Sequence, residues 1–176
     1  MPALERRAFE LRASDDAKVL EGVALPYGSQ GRVGGFTEEF RAGSVQLLPS
    51  GVLLNVLHRE DRLLARYPDG GLELRDADDA LHLRATMPDT GEAADARELV
   101  RTGVLRGFSI EFMAKRDEWQ GRHRIVHEAI VAGVALVARP AYEGAVITEG
   151  RELATVDWLA LQSGLLRKVG RRWRSL

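Results

Sequence analysis

In the first half of the chain, apolar residues recur at every second position in short segments, beginning with residues 7–13 and 18–26. A period of two matches a strand that turns alternate side chains to opposite faces, so both segments predict β-strands half buried against a core. Residues 27–35 break the pattern: Gly28, Gly31, Gly34 and Gly35 lie among polar residues, the composition of a loop. These glycines lack both the spacing and the closing Lys-Ser/Thr of a phosphate loop, which argues against a nucleotide site. Residues 37–50 contain Glu39-Phe40-Arg41-Ala42-Gly43-Ser44, read as a short helix ending at Gly43, and the strand that follows carries His58. Over residues 63–84, alternation around Asp69-Gly70-Gly71 and Asp78-Asp79 predicts paired strands with tight turns.

The period lengthens over residues 90–102, where Ala93, Ala96, Leu99 and Val100 form one apolar helical face. Asp89 or Thr90 serves as N-cap, acids fill the first turn, Arg97 and Arg101 come later, and Gly103 lies beyond the end. Alternation then returns, with Phe108, Ile110 and Phe112 on one side of a strand and Ser109 and Glu111 on the other. A hairpin turning near Gln120-Gly121-Arg122 leads to a strand over 127–137, which Arg139-Pro140-Ala141 stops. Leu153, Val156, Leu159 and Ala160 predict a second helix over 152–162, followed by a basic tail with Arg167, Lys168, Arg171, Arg172 and Arg174.

A length of 176 residues fits one domain with a real core. With 25 basic against 26 acidic side chains the overall field is weak, which argues against a protein that grips nucleic acid along its length. The basic tail reads first as a solvated terminus, with docking on an acidic scaffold or phosphate contact as the alternative. Cysteine is absent, which excludes disulfides and thiolate catalysis. His82 and His123 are isolated and match no metal-ligand spacing, so no metal site is expected. No apolar run approaches the roughly 20 residues that span a bilayer, and the first residues lack the apolar core of a signal peptide, so the chain reads as soluble, not exported and without a membrane partner.

One pair carries chemistry. Serine is a poor nucleophile until an imidazole accepts its proton, so Ser109 and His58, both in strand-like sequence, make an acyl-transfer hypothesis. Taken alone, His58 also fits a strand-end histidine bonded to a backbone carbonyl, and Ser109 a small residue filling a tight spot after Gly107. Glu111 and Asp117-Glu118 read as solvated faces. Arg139 fits either a group beside a developing oxyanion or an exposed arginine before a proline.

The order of landmarks resembles the prohead (head maturation) proteases of tailed phages, serine peptidases related to herpesvirus assemblin. The resemblance covers about residues 22–145: Gly22-Val23-Ala24-Leu25-Pro26-Tyr27, Glu39-Phe40-Arg41-Ala42-Gly43-Ser44, Val56-Leu57-His58, Pro88-Asp89-Thr90, the Gly103 to Phe112 stretch, and Val134-Ala135-Leu136-Val137-Ala138-Arg139-Pro140-Ala141. It implies an α+β, mainly β fold, an assemblin-like antiparallel β-barrel flanked by a few helices. Residues 1–150 would form that domain, and 151–176 a C-terminal helix and basic tail. His58 would be the general base and Ser109 the nucleophile of an endopeptidase that needs no cofactor. Its partner would be a scaffold or major capsid protein precursor inside the assembling procapsid, in the host bacterial cytoplasm, and a homo-oligomer is compatible with this.

One position departs from the family pattern. Where an acid, or in the herpesvirus relatives a histidine, often orients the imidazole, this chain has Gly133. Losing that group costs other serine proteases about four orders of magnitude in rate. In a regular strand His127 shares the face of Gly133 and becomes the candidate third member; a bulge would put Glu128 there instead. Gly133 also supports a rival class, an assembly or scaffold-binding protein that keeps the fold without a working site. A His/carboxylate metal hydrolase is a third reading.

Overall fold

The computed structural model describes residues 5–13 and 18–139, with side-chain surroundings from residue 18 onward. The strands are β1 (Glu5–Ala13), β2 (Val19–Pro26), β3 (Gly31–Val33), β4 (Phe36–Phe40), β5 (Val45–Leu47), β6 (Val52–Val56), β7 (Arg59–Tyr67), β8 (Leu72–Asp76) and β9 (Ala80–Thr86). The helix α1 (Gly91–Arg101) precedes the long hairpin of β10 (Gly107–Gln120) and β11 (His123–Val137). The expected helix over 152–162 and the basic tail lie outside the described residues.

The strands follow the order β3-β4-β11-β10-β1-β2-β9-β8. β1 joins the halves: residues 5–10 pair with β10 and residues 11–13 with β2. On its other side β11 takes three short strands end to end, β4, β5 and β6, all parallel to it.

The mainly β expectation holds, but the barrel does not, and the pairing is not wholly antiparallel. A barrel needs its last edges to meet. Here β7 folds back on β6 and does not pair with β8; an isolated bridge joins Arg66 to Gly71, just before β8 begins. Pro68 follows β7 directly and has no N–H to extend a ladder. Among the described residues one helix flanks the sheet rather than several.

The short helix expected at 39–43 is the end of β4 and a turn. Arg41 N–H donates to the Val126 carbonyl at 3.0 Å, and Gly43 turns the chain at φ 70°. The extended form wins because it seats Phe40, fully buried, edge-on against Phe112 with ring centroids 5.0 Å apart. The helix over 90–102 appears as expected. Thr90 caps it by accepting from the Ala93 N–H at 3.3 Å, and Ala93, Ala96 and Val100 are buried.

Phe108, Ile110 and Phe112 of β10 and Val134 and Leu136 of β11 are all 0 % exposed and share the main core with Val52, Leu54 and Val56 of β6. Burying each such side chain is worth about 1.5–3 kcal/mol, and a one-residue slip would turn the whole set outward. The register is thereby locked, and it sends the intervening residues, Ser109 and Glu111 among them, to the opposite face.

Candidate active site

That opposite face is built from adjacent rows of three strands. Ser109 lies across from Ala135, which lies across from Asn55; Glu111 lies across from Gly133, which lies across from Leu53. Ala135 and Val137 form a small apolar cluster of their own, separate from the main core. Ser109 is buried, 3 % exposed. Asn55 is equally buried, and its Oδ1 has no hydrogen-bond partner.

His58 arrives from the end of β6, just beyond the strand expected to carry it. Val56 pairs with Arg59, so Leu57 and His58 form a two-residue hairpin loop, with φ of 54° and 60°. Positive φ at both loop positions is the hairpin geometry that normally selects Asn-Gly. The loop is tied to β11 by the Leu57 N–H, which donates to the Leu136 carbonyl at 2.9 Å.

The imidazole then meets Glu111. His58 Nδ1 is 2.6 Å from Glu111 Oε1, and the two side chains are 15 % and 13 % exposed. A carboxylate only accepts, so Nδ1 is the nitrogen that carries hydrogen. In the neutral ring the lone pair then sits on Nε2, and neither that atom nor the Ser109 hydroxyl takes part in a described hydrogen bond. The arrangement is a mostly buried imidazole with a carboxylate on Nδ1, beside a strand with a hydroxyl two residues from that carboxylate.

The other sequence candidates go elsewhere. A bulge between Glu111 and Phe112 lets β11 skip Ala132, so the strand does change phase, as the choice between His127 and Glu128 required. Neither residue reaches His58, because both lie five or six residues along β11 from Gly133, roughly 16–20 Å away. His127 Nε2 is 3.3 Å from Glu118 Oε2, and Glu128 Oε1 accepts from Gln46 at 3.2 Å. The carboxylate beside the imidazole is instead that of Glu111, which sequence alone read as a solvated face. Its signal was available as parity: Glu111 shares a strand face with Ser109. Arg139 is exposed just past the end of β11.

A family model described as caudovirus prohead serine protease matches residues 3–157. The chain belongs to that family. No curated protein sequence matches this prohead protease family member. Among solved structures it is similar to the capsid assembly protease gp21 of bacteriophage T4, with a TM-score of 0.50 and 14 % identity, over 79 % of this chain and 99 % of that one. At that identity the likeness concerns the fold alone. No helix among the described residues is long and apolar enough to cross a membrane, and no group of three or more His, Asp or Glu there could hold a metal ion.

Proposed function

We propose that this family member is a serine endopeptidase that cuts a scaffold protein or the scaffold-like extension of a capsid precursor inside the assembling procapsid. Ser109 is the nucleophile and His58 the general base. The observation that carries the reading is the 2.6 Å contact of Glu111 with His58 Nδ1, which holds the imidazole against the strand face that Glu111 shares with Ser109.

The steps follow from those atoms. His58 Nε2 takes the proton as Ser109 Oγ attacks the scissile carbonyl, and the imidazolium then gives that proton to the leaving amine. Water repeats the sequence on the acyl-enzyme and restores Ser109. The two side chains are not bridged here, and such hydrogen bonds commonly tighten only when substrate binds. Gly133 was the sequence argument for an inactive assembly factor; a carboxylate already on the imidazole removes its force.

Coexpression with the capsid precursor tests the proposal. Processing is expected with the wild-type chain and should disappear in Ser109→Ala and in His58→Ala, with folding unchanged in both. A precursor left whole by the wild type, or cut equally by Ser109→Ala, would sink the reading.

A further inference from the structure

Glu111 and Gly133 are cross-strand partners on one face of the β10–β11 pair. A Cβ placed on Gly133 would lie 2.8 Å from Glu111 Oε2 and 3.3 Å from its Cδ. The first distance is one that real Cβ atoms essentially never show, so one of the two groups would have to move. The backbone does not demand glycine, because Gly133 is absent from the positive-φ positions. What demands it is the space taken by the Glu111 carboxylate, and that carboxylate is the one bonded to His58 Nδ1.

We propose that Glu111 is the positioning residue for His58, supplied by the nucleophile's own strand, and that Gly133 is the gap that lets it reach the imidazole. The inference rests on the peptidase reading above and deepens it. The seat beside the imidazole holds one carboxylate and can be filled from either strand, because a Cβ at 133 would lie only 3.6 Å from the Glu111 Cβ, so a glutamate on either strand starts from nearly the same point. A side chain at position 133 therefore evicts Glu111, whereas a glutamate at 133 can take over once position 111 is emptied. The eviction should cost little stability, since what moves is the far end of a flexible side chain.

The test compares wild type, Ser109→Ala, Glu111→Gln, Gly133→Ala, Glu111→Gly and Glu111→Gly/Gly133→Glu, each as the full chain. It follows turnover of the capsid precursor, the melting temperature and the NMR signal of the His58 Nδ1 hydrogen. Glu111→Gln keeps the shape but reverses the hydrogen-bonding logic at one atom, and should lower kcat by about 10²–10⁴-fold with KM little changed. Gly133→Ala should lower kcat in the same direction while melting near the wild-type temperature. The double variant should recover activity over Glu111→Gly. The Nδ1 hydrogen should be protected from exchange in the wild type and exposed in Glu111→Gln and Gly133→Ala.

Unchanged kcat in Glu111→Gln, in a protein whose Ser109→Ala form is dead, overturns this inference and leaves the peptidase reading standing. If the wild type does not cut at all, the peptidase reading falls, and the shared seat is then decided by the Nδ1 signal: protection that survives Gly133→Ala overturns it. Should Glu111→Gly fail to fold, Glu111→Gln and Gly133→Ala decide the matter.

Discussion

The hairpin loop that presents the imidazole pays a conformational cost. Leu57 and His58 both hold positive φ, and neither is a residue that favours it. Strain of this kind persists where surrounding structure enforces it, and here the enforcement comes from the β6–β7 ladder, the Leu57–Leu136 backbone bond and the Glu111 contact. Leu57 is 47 % exposed, so its side chain returns little in packing. Leu57→Asn, which tolerates the left-handed region, should therefore stabilise the protein by about 1 kcal/mol and raise its melting temperature by roughly 2–4 °C. A melting temperature that falls would mean that the leucine packs for more than the backbone strain costs.

At the level of elements, the tip of the β10–β11 hairpin is pinned to β4 by a buried cation. Arg124, 7 % exposed, donates from Nε to Asp117 at 2.6 Å and from Nη1 to the fully buried Glu38 at 3.1 Å. Its guanidinium also lies 5.7 Å from the Trp119 ring centre. Breaking a buried pair from one side strands a charge, so Arg124→Leu should destabilise by about 3–5 kcal/mol, read by denaturant unfolding. Adding Glu38→Leu should recover much of that loss, since an apolar pair of similar volume is often neutral; a double variant no better than the single one would place the cost elsewhere. This contact explains why β10 and β11 run so far past the site. The hairpin arm is anchored at its tip, while its base carries Ser109 and Glu111.

For the molecule as a whole, the decisive strand is the first. β1 covers β10 from Gly107 to Phe112, the stretch that carries Ser109 and Glu111, and then leaves to pair with β2. Removing the chain through Ala13 would open that edge and uncouple the β2-β9-β8 sheet from the rest, creating an unpaired strand prone to association. Fast hydrogen exchange at the amides of residues 108–112 and loss of precursor cleavage are the expected results. Retained protection there would show that β11 alone holds β10 in place.

The alternation of Phe108, Ile110 and Phe112 with Ser109 and Glu111 was enough to place the hydroxyl off the core, because a strand's side-chain period is local. The capped helix and the hairpin turn at Gln120-Gly121-Arg122 were equally local and equally legible. Register and strand partnership were not. Whether the imidazole meets His127, Glu128 or Glu111 depends on which strand pairs with which, and on where along β11 the loop that carries His58 arrives. The same holds for the open sheet, in which β7 pairs with β6 and reaches the β8 side only through an isolated bridge. The residues named a serine and a histidine; only the assembled sheet brought a carboxylate to the imidazole, because that hydrogen bond joins residues 53 positions apart in the chain.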